Sequence, residues 1–399
     1  MKRTNLILCF CLVTSILLGK ETSAPGTSVT TTKSSTSGTT VTTTTTTVTT
    51  TTTTKPVKNQ EIAKDVEIVF VLDTTGSMDG LINGAKSKIW SIINDVLQNQ
   101  KSGSKVKIGL VGYRDRGDQY VTKVTGLSED LDEVYGQLMG FRAEGGGDEP
   151  EDVRQALFVG VSKMNWSKPR RNLSRIVFLV GDAMPHTNYQ DFPTTVATAK
   201  SAKKNGIIIN TIQCGNLPRT DKFWREIAQN AGGEYFSIAQ DGGIVEITTP
   251  YDEEIQNLGN QMDKVYIPFG KSEERESAIV AKEEMTSKLT YAPKEAKVSR
   301  SVNKSINKFA YSSDDLVQAI ENNETKLGDI KTESLPTEMQ SMSKDEQETY
   351  INKKIAERKE IRDKILNLSK QRDAYIKENT TTVDSFDKAV SDSLKKQIK

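Results

Sequence analysis

Residues 66–78 read Val-Glu-Ile-Val-Phe-Val-Leu-Asp-Thr-Thr-Gly-Ser-Met, an apolar run that ends in a carboxylate and hydroxyl side chains. The run is rich in β-branched residues, which favours a strand buried on both faces. Comparable runs occupy residues 107–112, 175–180 and 206–210, and apolar residues recur at helical spacing between them. The alternation predicts an α/β fold over residues 61–268, with a doubly wound, mostly parallel sheet flanked by helices.

The N-terminus has the pattern of a secretory signal peptide. Lys2 and Arg3 precede an apolar stretch of 13 residues from Leu6 to Leu18, and small residues follow up to Ala24. A helix that spans a membrane needs about 20 apolar residues, so the stretch is too short. We expect cleavage after residue 24 and a mature chain that is secreted, periplasmic or at the cell surface, and not membrane-spanning. Lipidation is disfavoured because Cys9 and Cys11 lie inside the apolar stretch.

Two further segments flank the α/β region. Residues 25–60 are dominated by Thr and Ser and offer little apolar surface, which predicts a disordered linker. Residues 269–399 are charged and helical in pattern, and Ser343 to Glu346 form a predicted capping box. The helix that follows has one apolar stripe, which predicts either packing on itself or on the main domain, or a coiled coil that joins two copies.

Composition narrows the function classes. Charged residues make up 27% of the chain and nearly cancel to a net charge of +1, which does not favour nucleic-acid binding. His186 is the only histidine, so a histidine zinc cluster or a Ser-His-Asp triad is not available. After cleavage Cys214 would be the sole cysteine, and its position in an apolar run predicts a core residue rather than a reactive thiol.

Oxygen-bearing side chains follow two of the predicted strands. Asp73, Thr75 and Ser77 come after the first strand, and Asp182 comes after the strand at 175–180. Because open α/β sheets place their binding crevices at the carboxyl ends of strands, we expect these side chains to converge. Carboxylate and hydroxyl oxygens suit a hard divalent cation, with magnesium as the expected ion and manganese or calcium as alternatives.

A third loop, residues 144–151, combines glycines with acidic residues and is expected to join the same site. We expect Asp148 to be its metal ligand, with Glu149 as the second choice. Asp115 is a candidate for the outer shell of the metal. Met78 and His186 are candidates for the rim on which a ligand would rest.

The stretch from about residue 65 to 263 resembles a von Willebrand factor A domain, and residues 73–77 resemble the metal-ion-dependent adhesion site of that family. The resemblance implies a Rossmann-like sandwich and metal-dependent protein binding. Residues 113–118, 145–152 and 181–186 resemble a bacterial exported branch that has a helical C-terminal extension. Thr75 stands where Ser is commoner, and the third loop has acidic residues where the family usually has Thr.

We therefore expect an exported binding protein rather than an enzyme. Its metal would capture a protein partner that offers an acidic side chain, for adhesion or assembly. Two alternatives from other classes are a metal-assisted hydrolase of an envelope polymer and a structural scaffold that forms homo-oligomers through the C-terminal helices.

Overall fold

The computed structural model describes residues 28–36, 39–47, 64–98, 104–147, 149–241, 247–311, 313–379 and 385–398. The chain divides into two units, residues 1–61 and residues 62–399. The predicted signal peptide, residues 1–24, lies outside the described residues.

In the first unit, strand β1 (Ser28–Thr36) pairs antiparallel with strand β2 (Thr39–Thr47). The prediction of a disordered linker is wrong for these two segments. Thr is β-branched and stiff at its first side-chain torsion, which favours an extended backbone even where little apolar surface is available. The other residues of the linker, from 25 to 60, lie outside the described ranges.

The described part of the second unit contains a six-stranded sheet in the order β5-β4-β3-β6-β7-β8. Strand β5 is antiparallel to β4, and the remaining neighbours are parallel. This confirms the predicted mostly parallel sheet. The strands are β3 (Asp65–Asp73), β4 (Val106–Tyr113), β5 (Thr122–Ser128), β6 (Leu173–Gly181), β7 (Ile208–Cys214) and β8 (Tyr235–Ile238).

Helices cover both faces of the sheet. Alternate residues of β3 point to opposite sides, so Ile68 and Phe70 pack with helices α1 and α2, while Val69 and Val71 pack with α3, α4 and α5. Cys214 is fully buried in the first of these cores, as predicted. The helices are α1 (Asp79–Gln98), α2 (Leu131–Met139), α3 (Val153–Ser162), α4 (Thr195–Lys204), α5 (Thr220–Ala231) and α6 (Asp252–Asp263).

The C-terminal region is helical and packs on the sheet domain. Helix α8 lies along α1, and Val390 and Leu394 of α12 join the core that contains α1. Within the described residues, no helix is both long and apolar enough to cross a membrane. The helices are α7 (Ser272–Thr290), α8 (Lys294–Ile306), α9 (Leu316–Glu321), α10 (Thr337–Gln340), α11 (Lys344–Asn379) and α12 (Ser385–Gln397).

The apolar stripe of α11 is covered within the chain. Ile361 and Ile365 share a core with Ile255 of α6 and Val298 of α8, and Ile351 packs with residues of α9 and α10. The capping box at Ser343 is present, because its backbone N–H donates to Glu346 at 2.8 Å and its hydroxyl accepts in return. The helix therefore packs on the main domain, which was one of the two predicted arrangements.

Candidate metal centre

Two neighbouring parallel strands bring the first two acidic residues to one edge of the sheet. Asp73 is the last residue of β3, and Asp182 directly follows β6, which pairs with β3. A methyl group at Gly181 would lie 2.4 Å from the Tyr113 hydroxyl and 3.1 Å from Cβ of Asp73. Only glycine fits here, so the close approach of the two strand ends depends on Gly181.

The loop after β3 folds back on the Asp73 carboxylate. Oδ1 of Asp73 accepts hydrogen bonds from the backbone N–H of Thr75 at 2.9 Å and from its hydroxyl at 2.6 Å. The Ser77 hydroxyl lies 3.3 Å from that of Thr75. Oδ2 of Asp73 is buried and accepts no well-formed hydrogen bond from a described residue. The three predicted ligands of this loop are therefore adjacent, and one buried carboxylate oxygen remains available.

Gln240, which follows β8, links the two acidic loops. Its side-chain amide donates to Oδ2 of Asp182 at 2.7 Å and to the backbone oxygen of Ser77 at 3.2 Å. The sequence-based reading did not identify Gln240 because β8 is short and only partly buried, so no strong apolar run marks its position. Gln240 fixes the orientation of the Asp182 carboxylate relative to the loop after β3.

The predicted rim position of Met78 is wrong. Met78 ends a 3-10 turn, Gly76–Met78, which rotates its side chain inward, and none of its surface is exposed. Its sulfur lies 4.0 Å from the Gln240 amide and it belongs to the core beneath the loop. Met78 therefore supports the site from below.

The third loop packs directly on the first. The backbone N–H of Gly76 donates to Gly145 O at 3.1 Å, and the N–H of Glu144 donates to Thr74 O at 3.1 Å. Gly145 and Gly146 have φ values of +81° and +79°, which favour glycine and let the two backbones approach. The predicted convergence of three loops is thus what the structure shows.

The acidic residues of the third loop differ in position. Asp148, the predicted ligand, lies outside the described residues, and its role stays a prediction. Glu149, the second choice, is exposed. Glu151 is 3% exposed. A methyl group placed on Gly146 would lie 3.3 Å from Oε1 of Glu151 and 3.2 Å from Cβ of Thr75. Glu151 was not singled out from sequence, where neighbouring carboxylates competed for the same role.

The clustered carboxylates raise one another's pKa values. Burial, and then the charge of Asp182, raise the pKa of Asp73 to about 7, although hydrogen bonds from Thr75 and a weaker one from the Tyr113 hydroxyl act in the opposite direction. Burial, followed by the charges of Asp73 and other nearby carboxylates, raises the pKa of Glu151 to about 9. The site is therefore short of positive charge, which a bound cation would supply.

Asp115 and His186 lie beside these loops. Oδ2 of Asp115 is 3.1 Å from Nε2 of His186 and accepts from the Tyr189 hydroxyl at 3.0 Å. The His186 ring stacks on Tyr189 with centroids 4.0 Å apart and is almost fully buried. Oδ1 of Asp115 is buried and has no hydrogen-bond partner among the described residues. The outer-shell role of Asp115 and a ligand contact of His186 both stay predictions.

The donor set fits a hard divalent cation. Asp73 and Asp182 supply carboxylates, Thr75 and Ser77 supply hydroxyls, and the buried Oδ2 of Asp73 lacks a partner. In the described part of the chain, no three His, Cys, Asp or Glu side chains are grouped as a metal site. A site here would therefore depend on the hydroxyl oxygens in addition to the two carboxylates.

Residues 67–249 match the family model of the von Willebrand factor A domain. The match and the sheet topology both support a von Willebrand factor A domain in this segment. Domains of this family serve protein–protein interaction or adhesion in general.

Two curated relatives match a shorter part of the chain. An ariadne-like RING finger protein of Acanthamoeba polyphaga mimivirus is 30% identical over 128 residues, which is 30% of this chain and 11% of that protein. An alpha-protein kinase of Dictyostelium discoideum is 32% identical over 123 residues, which is 30% of this chain and 19% of the kinase. The chain thus spans between a tenth and a fifth of the length of these relatives.

Similar solved structures include protein BatB from Bacteroides thetaiotaomicron, with 15% identity and a TM-score of 0.31 over 44% of this chain and 90% of that one. The SpRpn10 VWA domain has 16% identity and a TM-score of 0.32 over 45% of this chain and 89% of that one. A proximal thread matrix protein from the mussel byssus has 15% identity and a TM-score of 0.33 over 45% of this chain and 43% of that one.

Proposed function

We propose that this chain is an exported adhesion or assembly protein that binds a protein partner through a divalent metal ion. Asp73, Thr75, Ser77 and Asp182 would hold the ion, with magnesium as the expected metal. The observation that carries the proposal is the buried Asp73 carboxylate beside Asp182, whose Oδ2 accepts no well-formed hydrogen bond from a described residue. Burying a carboxylate without a compensating charge is costly, and a cation removes that cost.

The chain's own residues would set the geometry of this centre. Thr75 holds Oδ1 of Asp73 through two hydrogen bonds, while Oδ2 lies on the side of Gly181 and the Tyr113 hydroxyl. Gln240 holds one oxygen of Asp182 and ties it to the backbone of Ser77. When bound, the metal would supply the positive charge that attracts a carboxylate of the partner. Asp115 and Asp148 would contribute from the surrounding loops.

Export is supported by the N-terminal pattern, in which Lys2 and Arg3 precede the apolar stretch up to Leu18. The proposal places the mature chain outside the cytoplasm, as a secreted, periplasmic or surface protein. It also holds that the chain is not an enzyme, because the clustered side chains are suited to metal binding and no motif supplies a general base.

The proposal is tested with a blocked, glycine-rich peptide that carries one glutamate, and with a matched peptide in which glutamine replaces it. Binding is followed by nuclear magnetic resonance in magnesium and in EDTA. We expect the glutamate peptide alone to bind, only in magnesium, and not to the Asp182→Ala variant. Asp221→Ala, which removes an exposed carboxylate on α5, is the matched control and should bind normally. Equal binding in EDTA would overturn the proposal.

A further inference from the structure

A basic pocket lies directly beside the candidate metal centre. It has a volume of about 390 Å³ and is lined in part by Arg114, Gln119, Tyr120, Lys123, Arg142 and Glu144. Three of these side chains are cations and one is an anion. Lys123 and Arg142 are exposed, whereas Arg114 is buried. The pocket thus presents excess positive charge to solvent.

The pocket and the metal loop share their structural supports. Nε of Arg114 donates to the backbone oxygen of Thr74 at 3.1 Å, and the Tyr120 hydroxyl lies 2.8 Å from Oγ1 of Thr74. Thr74 lies between Asp73 and Thr75, two of the proposed metal ligands. Glu144 lines the pocket, and its backbone N–H bonds to Thr74 O. The pocket is therefore built directly against the loop that carries the proposed metal ligands.

The fold holds one of the three cations of the pocket, Arg114, in place. The Arg114 guanidinium stacks on Tyr120 with 4.5 Å between its carbon and the ring centroid, and donates to Arg142 O at 2.8 Å. Its nearest carboxylate, Glu144, is 3.8 Å away and largely exposed. Burial, and then the charge of Arg142, lower the pKa of the neighbouring Lys86, while the charge of Asp79 opposes them. Such a cluster gains most when an anion enters it.

We propose that the pocket formed by Arg114, Lys123 and Arg142 reads a second carboxylate of the partner, so that the preferred ligand is an acidic peptide segment with two nearby acidic side chains. This inference rests on the proposed function, because the first carboxylate would bind at the metal. Guanidinium groups suit a carboxylate because they can donate two parallel hydrogen bonds. Glu144 competes for these cations in the free protein and is displaced when the second carboxylate enters.

The test extends the single-glutamate peptide with a series in which a second glutamate lies one to four residues further along. In magnesium, we expect the best member of the series to bind about five- to tenfold more tightly than the single-glutamate peptide. The gain in affinity should shrink as the salt concentration is raised, because the second glutamate and the exposed cations Lys123 and Arg142 interact near the surface. Affinities are measured by nuclear magnetic resonance titration of the full chain.

Two variants assign the gain to the pocket. The double variant Lys123→Gln, Arg142→Gln should lose the advantage of the second glutamate while retaining the affinity for the first. A matched control with the same charge change, Lys168→Gln, Arg171→Gln, alters exposed residues before β6, at the opposite edge of the sheet, and should keep the advantage. Glu144→Gln should increase the advantage, which a folding defect could not produce.

The outcomes separate the two proposals. If single- and double-glutamate peptides bind equally, and both need magnesium, the second-carboxylate inference is overturned and the proposed function stands. If the double-glutamate peptides bind equally well in EDTA, the metal is not involved and both proposals fail. If no peptide binds under any condition, both are again overturned.

Discussion

A cluster of charged side chains at the C-terminal helices and a cluster of carboxylates at the sheet differ in how completely they are neutralised. Between the sheet domain and the C-terminal helices, Arg300 and Lys304 of α8 pair with Asp132 of α2 and Asp263 of α6. At the carboxyl edge of the sheet, the carboxylates around Asp73 have buried oxygens without partners among the described residues.

The pKa values show the difference directly. Burial alone would raise the pKa of Asp132, but the charges of Arg300 and Lys304 outweigh it and lower the pKa to about 2. Burial of Asp73 acts in the same direction, and the neighbouring Asp182 adds to it, so its pKa rises to about 7. The first cluster is complete within the fold and holds two regions together. The second lacks a cation, which is the property expected of a binding site.

The largest effect is expected from breaking the complete cluster. Arg300→Met removes a buried cation and leaves the partly buried Asp132 and Asp263 with one fewer cationic partner, which should lower the free energy of unfolding by about 3 kcal/mol. Denaturant unfolding of the full chain measures this. The control Arg171→Met, at an exposed arginine, should change the value by less than about 0.5 kcal/mol. Equal, small losses for both variants would show that the Arg300 cluster does not hold the two regions together.

Removing a charge from the carboxylate cluster around Asp73 should raise the free energy of unfolding of the metal-free protein instead of lowering it. Because the folded-state pKa of Asp73 is about 7 and its ordinary value is 3.8, the folded protein binds more protons than the unfolded chain between these values. The metal-free protein should therefore lose stability as the pH rises from about 4 to about 7. Asp73→Asn should remove the part of this loss that Asp73 causes, while Glu151, whose pKa is raised to about 9, keeps its own part, and the metal-free variant should exceed the wild type at pH 8 by up to about 4 kcal/mol.

Thermal unfolding at several pH values checks the sign of the stability difference between Asp73→Asn and the wild type. The advantage of Asp73→Asn should vanish near pH 4, and magnesium should raise the melting temperature of the wild type but not of the variant. Asp221→Asn, at an exposed carboxylate, should resemble the wild type throughout. A variant less stable than the wild type at pH 8 without metal would mean that the fold itself already satisfies the Asp73 carboxylate.

A smaller effect is expected at Gln240, which positions a ligand without being one. Gln240→Ala should weaken magnesium binding by about tenfold, because partners that orient a metal-binding carboxylate typically contribute that much. Gln229→Ala removes an exposed amide on α5 and serves as the control. Unchanged magnesium affinity in Gln240→Ala would exclude the proposed positioning role.

The sheet and the first ligands could be predicted because strong local patterns mark them. The central strands are apolar and β-branched, and Asp73 and Asp182 follow two of them directly. The edge strands were not identified, since β5 is largely exposed or half-buried and β8 has only four residues. Gln240 follows β8 and was missed for the same reason.

Other features depend on contacts that a single segment does not encode. Glu151 is selected by its backbone bonds with the loop after β6, including its N–H to Met184 O at 3.1 Å, which neighbouring acidic residues would not reveal in sequence. The stripe of α11 is visible in the sequence, but its partners on α6 and α8 lie far away along the chain. In the Thr-rich tract, composition suggested disorder, whereas β-branching favours the pairing of β1 with β2.

The most direct test of the account is calorimetric titration of magnesium, manganese and calcium into the metal-free protein, compared with the double variant Asp73→Ala, Asp182→Ala. We expect the wild type to bind one equivalent of at least one of these ions and the double variant to bind none. No binding by the wild type, or equal binding by the double variant, would contradict the assignment of the metal centre to these loops.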